Sequence, residues 1–257
     1  MKKVTLLCGL LLAVTASMAS AAQGLNLRWS ACMGDAGIPN KSFACTSNAG
    51  SNQLVGGFEV GADLANVSGN EIVMDLASAQ ATLPAWWQFR NPGTCRTTSM
   101  SMNTALSALA VNCVDWGSGL AAGGVGAYNI GLRGPNTARI VAALAVPSQN
   151  LALLAAGQEY FSFNLVINNL KSAGLGSCAG CSDPVCIVFN SLNLTTPIAA
   201  NNVKFSGPTN GTDSNFATWQ GGAGVITNPP GGGGGSGCPA ATPTKNATWG
   251  QVKSLYR

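Results

Sequence analysis

Nine cysteines, nine carboxylates and no histidine define the chemistry open to this 257-residue chain. Without an imidazole there is no Ser-His-Asp triad, no Cys-His nucleophile and no His-based zinc hydrolase. No glycine-rich loop carries the Lys-Ser/Thr of a phosphate cradle. A carboxylate pair remains possible, because glycoside hydrolysis needs only two carboxyls ~5–9.5 Å apart. The acids are Asp35, Glu59, Asp63, Glu71, Asp75, Asp115, Glu159, Asp183 and Asp213. Glu71 and Asp75 fall on the wet face of one predicted strand, but ~13 Å apart along it, too far for that chemistry. Pairs across strands are not readable from spacing. Asp213, in Gly211-Thr212-Asp213-Ser214-Asn215, lacks the oxygen-ligand spacing of a calcium loop and reads as a solvated turn. These residues assign no catalytic group, metal or cofactor, and a carboxylate-based glycoside hydrolase stays as the enzymatic alternative.

The cysteines point to compartment. Cys8 lies in an N-terminal apolar run and leaves with it if that run is a leader. The other eight are Cys32, Cys45, Cys95, Cys113, Cys178, Cys181, Cys186 and Cys238, an even set that suits complete pairing in an exported chain. Short loops favour Cys32 with Cys45, Cys95 with Cys113, and Cys181 with Cys186 across an Asp-Pro turn, leaving Cys178 for Cys238. Eight cysteines allow 105 connectivities, so this pairing is one expectation among many. Two alternatives stand beside it. Cys178, Cys181, Cys186 and Cys238 are a possible zinc set. Cys178-x-x-Cys181 is a possible redox pair, though without the usual strand–helix setting.

Aromatic residues offer the one hint of a binding surface. Trp86 and Trp87 are adjacent, with Phe89 close behind. On a strand, neighbours point to opposite faces, so one indole would be exposed or lie under a loop. An exposed indole is a flat platform with an N–H donor, suited to a sugar ring or a partner surface. Trp29 and Trp116 read as core residues, and Trp219 as part of a terminal strand. Near the C-terminus, a helix capped at Asn246 or Thr248 would put Trp249, Val252 and Tyr256 on one face, with Leu255 beside them. So short a helix needs something to pack on. Its own domain and an outside partner both fit.

These residues need a scaffold. Lys2 and Lys3, the apolar run Val4 to Val14 and the small residues Ala19-Ser20-Ala21 predict a signal peptide over 1–22. The run is too short for a membrane-spanning helix of ~20 residues. Loss of Lys2 and Lys3 lowers the net charge from +4 to +2, and the remaining basic residues are scattered, which excludes a nucleic-acid footprint. Residues 23–227 form one domain. Only 9% of residues are charged and 33 are glycine, a profile of short strands and many turns. Period-2 alternation marks half-buried strands around Leu25–Trp29, Leu54–Val60, Glu71–Leu76 and Phe161–Ile167, with Leu25, Leu27, Trp29, Phe161 and Phe163 on core faces and Asn26, Arg28 and Ser162 on wet ones. Ile140–Val146 and Cys186–Phe189 are apolar on both faces and read as central strands. Asn103–Val111 suggests a short helix and Leu151–Ala156 a helical turn. About nine or ten strands without long helices predict an all-β antiparallel sandwich, jelly-roll or Ig/cohesin-like, with disulfide-stapled loops. Residues 228–244, rich in Gly and Pro, read as a linker, and 245–257 as a short basic amphipathic tail.

Gly24-Leu25-Asn26-Leu27-Arg28-Trp29, Cys178-Ala179-Gly180-Cys181 and the closing Thr248-Trp249-Gly250-x-Val252-Lys253-Ser254-Leu255-Tyr256-Arg257 resemble a group of uncharacterised secreted bacterial proteins. That resemblance implies export and carries no activity. The sequence therefore points to a non-catalytic binding or structural protein exported from the cytoplasm, acting extracellularly, at the cell surface or in the periplasm. A glycan or another surface protein would be its partner, and no transmembrane segment is expected after leader removal.

Overall fold

The computed structural model describes residues 23–209 and 214–221. In chain order the strands are β1 (Gly24–Trp29), β2 (Asn40–Lys41), β3 (Ser51–Glu59), β4 (Leu64–Val67), β5 (Gly69–Ser78), β6 (Met100–Asn103), β7 (Val114–Asp115), β8 (Ala122–Ile130), β9 (Thr137–Ala145), β10 (Ala152–Leu154), β11 (Glu159–Asn168), β12 (Val185–Thr195), β13 (Val203–Phe205) and β14 (Phe216–Trp219). The excess over nine or ten lies in strands of two to four residues, too short to show a period in sequence. The chain is an all-β sandwich, and no α-helix occurs among the described residues. No helix among them is long and apolar enough to cross a membrane.

The first sheet runs β1-β3-β11-β6, antiparallel throughout, and β7 joins β11 in parallel. The second runs β2-β14-β12-β5-β9-β8, with β13 also on β12. Strands β10 and β4 form a separate ribbon. Leu25, Leu27, Phe58, Phe163 and Leu165 of the first sheet share one buried cluster with Ile72, Met74, Ile140, Ile187 and Phe189 of the second. That shared cluster is the filling between two layers. Phe163 meets Phe189 edge-on across it, at 5.3 Å between ring centres. Gly56 makes room, since a Cβ there would sit 2.2 Å from the Phe163 ring.

The strands at Leu25, Phe58, Ile72 and Phe163 form where the alternation predicts, and β12 is central with both faces covered. Several local expectations fail. Asn26 and Arg28, expected to be wet, are buried, because residues 207–209 and 214–216 and Glu159 close over that face of β1. Phe161 and Phe163 do not share a face. The register of β11 shifts between them, and a bulge at Ser162 flips the parity, sending Phe161 outward and Phe163 inward. Residues 104–113 form no helix, and Ala152–Leu154 is a strand rather than a helical turn.

Candidate ligand cavity on the outer face of the first sheet

The outward flip of Phe161 creates the site. Phe161 joins Val55, Cys32 and Cys113 in a small apolar cluster on the outer face of the first sheet, with Leu106 and Ala110 packed against it. Between this floor and the 104–113 loop lies a cavity of about 490 Å³. Gln53, Asn103 and Asn164 supply its amide groups. The Asn164 amide donates to Gln53 at 3.1 Å, while its carbonyl oxygen has no hydrogen-bond partner among the described residues. No lysine or arginine lines the cavity, and Asp35 is its one charged group.

Two carboxylates in series hold the loop in place. Glu159, buried at the start of β11, accepts the backbone N–H groups of Met33 and Gly34 at 3.0 and 2.7 Å, and the Asn26 amide at 3.1 Å. This fixes the 3-10 turn Met33–Asp35. Asp35 in turn accepts the N–H groups of Val111, Asn112 and Cys113 at 3.0, 2.9 and 3.2 Å. A helix over 103–111 and its continuation would offer those donors to carbonyls four residues back. Here the carboxylate takes them, and the Cys32–Cys113 disulfide pins the loop's end, so tertiary contacts override local propensity. Desolvation opposes the ionised form of Asp35, but the hydrogen bonds from Asn112, Val111 and Cys113 outweigh it and hold the carboxyl below its ordinary value. Sequence spacing could not reveal this clamp, since it joins residues 35 and 111–113 across several strands.

The same loop carries an apolar face. Leu109 and Val111 are 87% and 84% exposed, and Val114 and Leu120 follow them. Beyond β7 a second cavity, of about 460 Å³, is lined by Val114, Trp116, Leu120, Leu153 and Tyr160. The Trp116 indole N–H has no partner among the described residues.

Trp86 and Trp87 are elsewhere, and neither is exposed. The expectation of an exposed indole assumed a strand; the pair instead sits in a 3-10 turn, Ala85–Trp87, where both rings turn into the core. Trp86 stacks on Trp219 at 5.1 Å and meets Trp87 edge-on at 4.9 Å. Its N–H donates to Ser172 at 2.9 Å. The Arg96 guanidinium lies 3.6 Å over the Trp86 ring and donates to the carbonyls of Trp86 and Asn168. Burial pushes Arg96 down to about 9, which leaves it charged at neutral pH.

The cysteine pairing is long-range. Cys32 bonds Cys113, Cys45 bonds Cys181, and Cys95 bonds Cys178, over separations of 81, 136 and 83 residues. Cys186 is also disulfide-bonded. The expected pairs Cys32–Cys45, Cys95–Cys113, Cys181–Cys186 and Cys178–Cys238 are thus corrected, because folding brings distant strands closer than sequence neighbours. Cys178 and Cys181 are tied to different partners, which overturns both the redox pair and the thiolate set for zinc. Cys238, Trp249, Val252, Leu255 and Tyr256, with the expected leader, linker and tail, lie outside the described residues.

Acids do meet across strands. Glu59 on β3 stands directly opposite Glu159 on β11. Burial, then the Glu159 charge, pushes the Glu59 carboxyl above its ordinary value. Neither residue lines either cavity. Asp75, expected on a wet face with Glu71, is instead buried under Arg139, at 2.6 and 2.7 Å, because the guanidinium from β9 covers it, whereas Glu71 accepts from Asn193 at 2.9 Å. No protein-family model matches this chain, and no curated protein matches it. Three disulfides suit an oxidising, exported setting.

Proposed function

We propose that this is an exported, non-catalytic binding protein whose contact surface is the 104–120 face, with the cavity beside it. The carrying observation is the distribution of exposed apolar side chains. Of eleven large hydrophobic residues exposed among the described residues, Leu109, Val111, Val114 and Leu120 lie on this loop, and Leu153 borders it. A disulfide and a carboxylate clamp hold that apolar loop in a fixed shape. Preorganisation of this kind lowers the ordering cost of association. Exposed apolar side chains concentrated on one fixed loop support an interaction site over scattered single exposures. Support for a non-catalytic role comes from the acids: Asp35, Asp63, Asp115, Asp183 and Glu159 each hold backbone or an amide in place. The partner is apolar, such as a segment of another surface protein. A glycan held on Trp86 or Trp87 is disfavoured by the burial of both rings.

The test is a double variant, Leu109→Asp with Val111→Asp, in an exporting bacterial host. Its unfolding free energy should stay within ~0.5 kcal/mol of the parent, as for surface changes generally. Its association with the cell envelope should fall, measured as the fraction retained against that released to the medium. Retention equal to that of the parent would overturn the assignment of the 104–120 face.

A further inference from the structure

The second cavity, beyond β7, holds polar groups that no contact in the fold uses. Strand pairing places it: β7 lies parallel to β11, with Val114 opposite Tyr160 and Asp115 opposite Phe161. Trp116 follows at once, and it lines the space of about 460 Å³ together with Tyr160, Gln149, Asn150 and Leu153. Trp116 is 2% exposed, and its indole N–H has no hydrogen-bond partner among the described residues. A native fold rarely leaves a buried donor in that state unless water or a ligand completes it. Tyr160 is also buried. Its hydroxyl oxygen accepts the Ala155 N–H at 2.7 Å, and its proton goes to no described group. Two donors therefore lack an acceptor.

Acceptors stand across the same space. Asp115 accepts the N–H groups of Gly117 and Gly119 at 2.9 and 2.7 Å, which fixes the turn and leaves lone pairs on both carboxylate oxygens. The exposed side chains of Gln149 and Asn150 make no hydrogen bond to a described group. No lysine or arginine lines the cavity, so an anion would meet Asp115 with no cation to offset it. A purely apolar group would strip water from the amides and leave the indole donor unpaired. A hydroxyl both donates and accepts. A ring bearing several hydroxyls meets the carboxylate, the amides and the two donors together, while its C–H edge rests on the apolar rim at Val114, Leu120 and Leu153. The volume lies within the ~300–1,000 Å³ of small-molecule sites.

We propose that this cavity binds one neutral sugar residue, with the Trp116 indole and the Tyr160 hydroxyl donating to its oxygens and Asp115 accepting from a hydroxyl. The site goes beyond the apolar contact face, since neither Leu109 nor Val111 lines it.

The experiment follows the proton–nitrogen NMR signals of the indole groups and of the 115–120 and 149–153 amides in the chain from Gln23 to Arg257. D-glucose, D-galactose, D-mannose and N-acetyl-D-glucosamine are titrated separately. At least one should give a saturable shift confined to Trp116 and those two segments, with a Kd on the order of millimolar. D-glucuronate should bind roughly tenfold more weakly than the best neutral sugar, because it sets a like charge against Asp115. Equal binding of a disaccharide ending in the same sugar assigns a glycan end, and its exclusion assigns a free monosaccharide. Gln149→Ala with Asn150→Ala alters only exposed side chains and should weaken binding roughly fivefold or more. Trp116→Phe should abolish the response; should loss of that buried ring prevent folding, the double variant carries the test. No saturable shift with any of the four sugars, glucuronate binding as tightly as they do, or unchanged affinity in the double variant would each overturn the proposal. A Trp116 N–H in contact with a bound water, in a protein whose spectrum ignores every sugar, would overturn it in favour of a structural water. The envelope-retention result for the Leu109→Asp, Val111→Asp variant is independent of all these outcomes.

Discussion

Trp86 and Leu109 both belong to loops that a disulfide braces, yet one is buried and the other is 87% exposed. Around Trp86, three further aromatic rings and the Arg96 guanidinium fill the space; the Trp86 and Trp219 indole N–H groups and both terminal guanidinium nitrogens donate to partners, while the Trp87 N–H and Arg96 Nε have none among the described residues. Around Leu109, backbone hydrogen bonds are satisfied through Asp35, but the side chains have nothing above them. The first region is packed for stability. The second is held rigid without being covered, the condition expected of a surface that meets something else. A disulfide by itself therefore says little about role; what it pins decides.

The comparison can be broken in four ways. Trp86→Ala should cost ~3–5 kcal/mol in denaturant unfolding, since it empties a close-packed site and uncovers Arg96. A cost near zero would mean that the cluster does not stabilise the fold. Replacing both Cys32 and Cys113 by Ser should cost ~2–4 kcal/mol, with exchange rising first in 104–113. Uniform loss of protection across the sandwich would show that the disulfide braces the whole domain and not the loop.

Asp35 sharpens the contrast by pH. Its carboxyl is held below the ordinary 3.8, so its contribution is complete above that value and is lost as the pH falls through the lower folded value. Acidification below about 3.8 should therefore release the amides of Val111, Asn112 and Cys113, and Asp35→Asn should release them at neutral pH. The aromatic cluster should stay protected in that variant. The smallest effect belongs to Glu59→Gln. The Glu59 carboxyl is raised above its ordinary 4.5, so its ionised form costs stability at neutral pH and that cost fades in acid. The variant should gain up to ~1 kcal/mol at pH 7, the scale of a like-charge pair directly across two strands. The gain should shrink as the pH falls towards 4.5. A loss at neutral pH would show that the carboxylate itself holds the sheet.

The fold class was legible because a strand's two-residue period is a local property: Leu25-Leu27-Trp29 and Ile72-Met74-Leu76 announce a core face whatever they pack on. The eight cysteines beyond the N-terminal apolar run suggested a domain braced by cross-links, and the disulfides among the described residues agree. The candidate site was not legible. Its floor depends on the bulge at Ser162, which reverses Phe161, and its roof on Asp35 taking the amides of 111–113 in place of a helix. Disulfide partners 81 to 136 residues apart, the fate of the Trp86–Trp87 pair and the Glu59–Glu159 opposition are likewise facts of strand order. Composition and period act within a few residues; register, bulges and cross-links act between strands, and only the assembled sheets decide which side chains meet.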